Sequence, residues 1–259
     1  MEVREFGIKN QKKIMFIPGN MMCWKQFKGV IPFLADSYHV TAVSQDGFDG
    51  TGETTYTDSS AMAEKLEGYI RDELGGGIDL VFGESFGSAA AAVLYHRQNV
   101  HVGSLIMSGP QYMDLGILNG LLMRVIPVNQ YRLCGKSKNA DKLPFLLRMY
   151  TRGDSQALLK QFENVPDNIS LVSLQNCMKE ALKLYRDIDS FEPDYNAKAA
   201  VWYGSEEPNM RTALMKLTRA FPALYIRRFD SFGHGEIISH PEMMAEEIRK
   251  FMKETGDEE

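Results

Sequence analysis

Short runs of apolar residues, each about the length of a buried strand, recur along the sequence and alternate with stretches of helical periodicity. The six runs occupy residues 13–17, 39–43, 78–82, 102–107, 199–203 and 223–229. Turn-forming residues such as Gly, Pro, Ser or Asp follow each run. A run that is apolar at nearly every position is typical of a strand with both faces covered by helices. We therefore predict six strands of this kind.

The stretches between the runs predict helices. Residues 59–74 carry apolar side chains at a 3.6-residue spacing and run into three glycines, which favour a helix end. Residues 88–98 are rich in alanine, and residues 241–253 begin with a proline, which suits the first turn of a helix. Residues 253–259 are expected to be a frayed, solvated tail. Strands that alternate with helices predict an α/β fold with a mostly parallel central sheet and helices on both faces.

The alternation stops between residues 111 and 196. This segment has no convincing buried strand, but it has helical apolar periodicity around residues 115–126 and 171–185. We therefore expect residues 1–110 and 197–259 to form the α/β core, with residues 111–196 as a helical cap inserted between two core strands. A chain of 259 residues has the length of one large α/β domain with such an insertion.

Composition and charge disfavour several classes of protein. The 34 acidic residues outnumber the 29 basic ones, so no broad cationic face for nucleic acid is expected. The longest nearly apolar stretch, residues 115–128, contains an asparagine and an arginine, so no membrane span is expected. The first residues do not resemble a secretory signal, and Cys23, Cys134 and Cys177 fit neither a disulfide framework nor a metal site. We therefore expect a cytoplasmic protein with reduced, buried thiols.

The pentapeptide Gly83-Glu84-Ser85-Phe86-Gly87 follows a predicted strand and opens the alanine-rich helix. In this strand-turn-helix setting the pattern G-x-S-x-G indicates a nucleophile elbow, a sharp turn that exposes a serine. Glycines are needed at both ends because side chains there would collide with the neighbouring strand and helix. The helix that follows directs free N–H groups and its positive dipole end towards the reacting centre. Ser85 is therefore the candidate nucleophile.

A serine hydroxyl needs a base to accept its proton, and the sequence offers five histidines. Four of them lie at strand starts, within a helix, or before a helix-starting proline. His234 alone lies in a glycine-flanked turn, residues 231–235, directly after the last predicted strand. Glycines allow this loop to curl over the strand ends and bring the imidazole to the serine. His234 is therefore the candidate general base.

The base needs a carboxylate that fixes its tautomer and stabilises the imidazolium. This acid is expected between the serine and the histidine in the chain, at the end of a strand. Glu206 and Glu207 are adjacent candidates, and Glu207 is preferred because Pro208 restricts it to an extended backbone. Glu206 is the alternative acid, and Asp114 and Asp230 are lesser candidates.

The tetrahedral intermediate of acyl transfer needs hydrogen-bond donors for its oxyanion. One donor is expected to be the backbone N–H of Phe86, the residue after the nucleophile. The second is expected in the loop after the first predicted strand, where Gly19 permits a sharp turn. The N–H of Asn20 is the first choice for this donor, and the N–H of Met21 is the alternative.

With these motifs the sequence resembles the α/β-hydrolase fold superfamily, in its compact, capped branch. The oxyanion loop, elbow, acid turn and histidine loop follow the family's order over nearly the whole chain. The chain departs from the common pattern in having Pro18-Gly19 where the family often has His-Gly, and in having Glu rather than Asp as its acid. A serine nucleophile differs from the Asp of the family's dehalogenases and epoxide hydrolases. The resemblance implies a serine hydrolase with a Ser85, His234 and Glu207 triad, acyl-enzyme chemistry, and neither cofactor nor metal.

The predicted cap is rich in Leu, Met and Tyr, so we expect a small-molecule acyl substrate with an apolar part. Ester cleavage is the first hypothesis, while acyl transfer, amide or peptide cleavage and carbon–carbon bond hydrolysis would use the same residues. A non-catalytic binding protein of the same fold is the alternative from another class. A nucleotide-binding protein is disfavoured because neither G-x-G-x-x-G nor G-x-x-x-x-G-K-[ST] follows any strand. The sequence leaves the oligomeric state open.

Overall fold

One seven-stranded sheet organises the computed structural model, which describes residues 1–110, 117, 119–134, 165–207 and 210–255. The strands are β1 Glu2–Phe6, β2 Lys13–Ile17, β3 His39–Ser44, β4 Gly77–Glu84, β5 His101–Ser108, β6 Ala199–Gly204 and β7 Tyr225–Phe229. Their order across the sheet is β1-β3-β2-β4-β5-β6-β7. Strands β2 to β7 are parallel to their neighbours, and β1 is antiparallel to β3. The predicted, mostly parallel sheet is confirmed, but β7 is an edge strand with mostly exposed residues, so the prediction that both of its faces are covered was wrong.

Helices cover both faces of this sheet. The helices described are α1 Ile31–Leu34, α2 Ser59–Glu73, α3 Gly87–Arg97, α4 Asn119–Cys134, α5 Leu171–Asp187, α6 Met210–Ala220 and α7 Pro241–Thr255. Apolar residues of α2, α3, α5 and α6 form the core on one face, and those of α1 and α7 form the core on the other. Within the described part of the chain, no helix is both long enough and apolar enough to cross a membrane.

The boundaries of α2 show how the sequence sets an element. The Asp58 carboxylate accepts a hydrogen bond of 2.8 Å from the N–H of Ala61 and so caps the first turn. After the last turn, Gly75 and Gly76 take φ values of +71° and +86°, which glycine adopts with little strain. The N–H of Gly76 then donates to the carbonyl of Ile70 over 2.9 Å and closes the helix.

The structure adds elements that the sequence patterns did not predict, among them β1 and α6. Strand β1 is a partly exposed edge strand, so its sequence lacks a continuous apolar run. Helix α6 buries only one side of its surface, through residues such as Ala213 and Leu217. Helix α7 reaches Thr255, so the prediction of a frayed tail from residue 253 was wrong for its first three residues. Residues 256–259 lie outside the described part.

Much of the predicted cap, residues 111–116, 118 and 135–164, also lies outside the described residues. Helix α5 is held against the loop after β3 by buried polar contacts. The Ser173 hydroxyl accepts a hydrogen bond from the N–H of Tyr56 (3.1 Å), and the Asn176 amide donates to the carbonyl of the same tyrosine (2.8 Å). The Ser59 hydroxyl donates to the buried Glu180 carboxylate. These bonds dock the segment before β6 onto the core.

Candidate active site

The turn that carries Ser85 is confined by close contacts with its surroundings. Ser85 has a φ of +49°, in the left-handed region that residues with a side chain rarely adopt. A Cβ on Gly83 would lie 2.6 Å from the Cα of Ser88, and a Cβ on Gly87 would lie 2.4 Å from the carbonyl oxygen of Ile17. Both distances are well below van der Waals contact, so both glycines of the motif are required sterically.

Ser85, His234 and Glu207 form a continuous hydrogen-bonded chain. The Nε2 atom of His234 lies 3.0 Å from the Ser85 hydroxyl oxygen, and Nδ1 lies 2.9 Å from Oε2 of Glu207. An ionised carboxylate can only accept a hydrogen bond, so Nδ1 carries the proton and donates a hydrogen bond to Glu207. Nε2 is then the unprotonated nitrogen that accepts from the serine hydroxyl. This arrangement suits the transfer of the Ser85 proton to the imidazole.

The acid loop after β6 and the histidine loop after β7 hold one another in place. The carbonyl oxygen of Phe232 accepts a 3.0 Å hydrogen bond from the N–H of Glu206, and a Cβ on Gly204 would lie 2.1 Å from that oxygen. The Gly204 N–H donates to Oε1 of Glu207 over 2.8 Å, which leaves Oε2 for His234. The Glu207 side chain is only 4% exposed, so its orientation is fixed by packing as well as by hydrogen bonds.

The other candidate acids do not reach His234 in the described part of the chain. Glu206, the neighbour of Glu207 in the chain, is exposed to solvent. The Asp230 side chain is 89% exposed and pairs with Arg228 at 3.7 Å. Asp114 lies outside the described residues, as does Pro208, on which the preference for Glu207 depended.

The loop after β2 brings backbone N–H groups beside the serine. A Cβ on Gly19 would lie 3.4 Å from the Cβ of Ser85, so the two chains nearly touch. Among the described residues, nothing accepts a hydrogen bond from the N–H groups of Asn20, Met21 or Phe86. These N–H groups therefore stay the candidate oxyanion donors, and Asn20 and Met21 remain alternatives for the second position.

Two buried glutamines that sequence reasoning missed hold this oxyanion loop. The Gln26 side-chain oxygen accepts from the N–H of Gly19 over 2.9 Å, and the Gln45 amide donates to the carbonyl of Pro18 over 3.1 Å. The only sign of this role in the sequence is that both glutamines lie next to apolar segments. The sequence does not show which loop their side chains support.

Backbone strain is concentrated in the loops of this site. In the part of the chain that the structure describes, four non-glycine residues have positive φ: Met21, Ser85, Gln98 and Ser231. Met21 belongs to the oxyanion loop, Ser85 to the elbow, and Ser231 to the histidine loop. Such conformations cost free energy and persist only where the surrounding structure enforces them, which is common at functional sites.

Burial and neighbouring charges act in opposite directions on His234. Burial alone would lower the pKa of His234, but the hydrogen bond and charge of Glu207, with the charge of Glu84, outweigh it and raise the pKa above its usual value. The imidazolium form is thus favoured in this environment, as proton transfer from Ser85 requires.

Gly109, which follows β5, is a further residue of the site that sequence reasoning missed. It has a φ of +52°, and a Cβ there would lie 2.9 Å from Nδ1 of His234 and 3.1 Å from Oε2 of Glu207. The missing side chain therefore provides the space in which these two groups meet. Identifying it requires the neighbour relation of β5 and β6, which the sequence alone does not supply.

The comparisons with known proteins agree with this fold. The sequence model for the alpha/beta hydrolase fold matches residues 12–241, and the chain therefore belongs to this family. A search of curated proteins gave no match.

Several solved structures are similar over nearly their full length. A structure described as an alpha/beta hydrolase family protein from Desulfitobacterium hafniense has 18% sequence identity and a TM-score of 0.82, over 97% of this chain and 100% of that chain. MenH from S. aureus has 14% identity and a TM-score of 0.73, over 99% and 98%. A structure from a study of carboxylesterases of the archaeon Nitrososphaera gargenis has 14% identity and a TM-score of 0.74, over 98% and 94%. At these identities the likeness shows the fold.

We predict that Gly109→Ala separates His234 from Glu207. The added methyl group overlaps both side chains, so the low-field NMR signal of the proton on Nδ1 should disappear or shift strongly. Gly75→Ala is a matched control because Gly75 also has positive φ (+71°) but has no atom within 4 Å of the added Cβ. Both variants should lose on the order of 1 kcal/mol of stability through backbone strain. An unchanged signal in folded Gly109→Ala would contradict this assignment.

Proposed function

We propose that this protein is a serine hydrolase that cleaves a carboxylic ester, or a related acyl compound, through an acyl-enzyme. Ser85 is the nucleophile, His234 is the general acid and base, and Glu207 orients His234. The observation that carries the proposal is the hydrogen-bonded chain from the Ser85 hydroxyl through both ring nitrogens of His234 to Glu207. Its order is the one that serine activation requires.

In the first half-reaction, Oγ of Ser85 forms a bond to the carbonyl carbon while its proton passes to Nε2 of His234. The tetrahedral intermediate then breaks its bond to the leaving oxygen, which takes the proton from Nε2 and departs as an alcohol. In the second half-reaction, water loses a proton to Nε2 and attacks the acyl-enzyme. Collapse of this second intermediate releases the carboxylic acid and returns the proton to Ser85.

Both intermediates carry a negative oxygen that needs hydrogen-bond donors. We assign this role to the N–H of Phe86 and to the N–H of Asn20, with Met21 as the alternative to Asn20. The proximity of Gly19 to Ser85 and the two glutamine contacts of the loop support this assignment. Donors fixed in advance stabilise the developing charge without reorganising during the reaction.

Membership of the alpha/beta hydrolase fold family and an esterase among the structural relatives support a hydrolase. We propose more specifically that the bond it cleaves is a carboxylic ester. Acyl transfer, amide or peptide cleavage and carbon–carbon bond hydrolysis need the same three side chains. A panel of activated esters, thioesters and aminoacyl amides, assayed with and without an acceptor alcohol, should give the highest kcat/KM with esters.

We predict that a fluorophosphonate probe labels the protein covalently at Ser85. Labelling should be lost in Ser85→Ala, and its rate should fall steeply in His234→Gln because the hydroxyl then lacks its base. Ser88→Ala is the control, since Ser88 lies three residues further on in α3 and its hydroxyl donates to the carbonyl of Gly83. Failure of the wild-type chain to react would instead favour a non-catalytic binding protein.

Glu207→Gln should lower kcat by about 10³–10⁴-fold, because the amide can hold the imidazole in the wrong tautomer. Glu206→Gln should stay close to the wild type, since that side chain is exposed. Steady-state kinetics with an activated ester measures both variants. The opposite result would transfer the role of the acid to Glu206.

We also propose that residues 111–196 form a cap that closes over the site and binds the apolar part of the substrate. Of its described residues, Leu121 (62% exposed) and Val125 (39% exposed) lie one helical turn apart on α4 and offer apolar surface. The docking of α5 on the loop after β3 supports a fixed position for the C-terminal part of this segment.

Leu121→Ser and Val125→Ser should therefore change the preference for acyl-chain length more than the activity on a minimal acetate ester. Loss of apolar contact weakens only substrates that are long enough to make it. Ile226→Ser, at an equally exposed apolar position on the edge strand β7, is the control. A chain-length profile identical to that of the wild type in both cap variants would remove α4 from the specificity determinants.

A further inference from the structure

A second carboxyl group, that of Glu84, lies beside the hydrogen-bonded chain. Glu84 is the last residue of β4, directly before Ser85, and it is paired in register with Ser108 on β5. It is only 1% exposed. A carboxyl group at the buried end of a strand is costly for folding, and a role in the site would account for its presence.

The Glu84 carboxyl group lacks the partners that usually accompany a buried charge. Among the described residues neither of its oxygens has a hydrogen bond of good geometry, although the side chain of Ser108, opposite on β5, comes close to making one. None of the ion pairs formed by described Lys and Arg side chains includes it. Both oxygens are also shielded from the solvent surface. The group is therefore sensitive to any charge that forms nearby.

Three groups on three other elements of the sheet edge act on Glu84: His234 after β7, Glu207 after β6, and Ser108 on β5. The pKa of Glu84 is raised to about 7: burial is the largest cause, the charge of Glu207 also raises it, and His234 and the Ser108 side chain oppose the rise. The influence is mutual, since the charge of Glu84 also raises the pKa of His234. The ionisation state of each group therefore affects the pKa of the other.

We propose that Glu84 is a positioning residue, whose carboxylate stabilises the imidazolium that His234 forms on accepting the Ser85 proton. Protonation of Glu84 removes this stabilisation, so the strength of His234 as a base depends on whether Glu84 is ionised. This inference rests on the proposed function, because only catalysis creates the imidazolium during each turnover. Glu207 orients the ring by direct contact, whereas Glu84 acts through its charge alone.

The pH dependence follows from the signs of these effects. His234 must be neutral to accept a proton, so kcat/KM falls as the pH drops below the pKa of His234. Removing the negative charge of Glu84 lowers that pKa, so the acidic limb of the profile moves to lower pH. The plateau also falls, since the imidazolium in the transition state loses one stabilising charge.

Glu84→Gln is the decisive variant because glutamine keeps the size of the side chain and removes its charge. The acidic limb of its kcat/KM profile should move to lower pH, and the plateau should fall by about 10-fold, equivalent to one pKa unit of interaction. Glu84→Asp, which keeps the charge, should restore the limb towards its wild-type position. Purely structural damage would lower the plateau and leave the limb in place.

Glu67→Gln is the matched control. Glu67 is another buried carboxylate (5% exposed), but it lies on α2 and contacts Asn99 at 3.0 Å and Arg97 at 3.5 Å. Its replacement should reduce stability without moving the acidic limb. A limb that shifts equally in both variants would overturn the specific role of Glu84.

Direct titration of the His234 ring by NMR tests the coupling without any substrate. Its midpoint should fall in Glu84→Gln and stay constant in Glu67→Gln, in both the wild-type and the Ser85→Ala background. If Glu84→Gln does not fold, the wild-type ¹³C signal of the Glu84 carboxyl group and the ring signal of His234 should each show an inflection at the midpoint of the other. Independent titration of the two groups, or an unchanged midpoint in folded Glu84→Gln, would overturn the proposal.

The two proposals fail in different ways. A wild-type chain that neither hydrolyses esters nor reacts with fluorophosphonate, but whose His234 midpoint depends on Glu84, would overturn the hydrolase and with it the catalytic use of Glu84. A chain that reacts at Ser85 and shows no dependence of His234 on Glu84 would overturn the positioning role alone.

Discussion

The contact between His234 and Ser85 depends on the parallel direction of the strands. Because β2, β4, β5, β6 and β7 all run the same way, the loops that follow them meet at one edge of the sheet. The serine, the base and the acid can therefore be separated by 149 and 27 residues along the chain and still lie within hydrogen-bond distance. Each loop needs to travel only a short distance from the end of its own strand.

Close approach at this edge is possible because glycines occupy the crowded positions. Gly83 and Gly87 let the elbow touch its helix and the end of β2, while Gly204 lets the acid loop touch the histidine loop. Gly109 leaves room for the imidazole and the carboxylate. The side chains of the proposed triad are held by backbone packing, which is more rigid than contacts between flexible side chains.

Much of this architecture was predictable because burial on both faces leaves a continuous apolar run in each central strand. Strand β1 was missed because its partly exposed sequence carries no such run, whereas the other edge strand, β7, was found because its sequence keeps one although most of its residues are exposed. The elbow and the histidine loop were predicted from local patterns, since their glycines adjoin the reactive residues. Gly109 and the two glutamines escaped prediction because their roles arise from contacts between loops distant in sequence.

Glu84 was recognised as part of the pentapeptide motif, but nothing in the sequence indicates a role for its side chain. In the pentapeptide it occupies an unspecified position, and its sequence neighbours give it no task. In the structure the Glu84 side chain is buried and, among the described residues, lacks a cationic partner, so its ionised form costs stability. Glu207 is held by two hydrogen bonds, so its charge is matched in the resting state. The charge of Glu84 is matched best when His234 is protonated, and a stabilising interaction that is strongest in that state favours the transition state over the ground state.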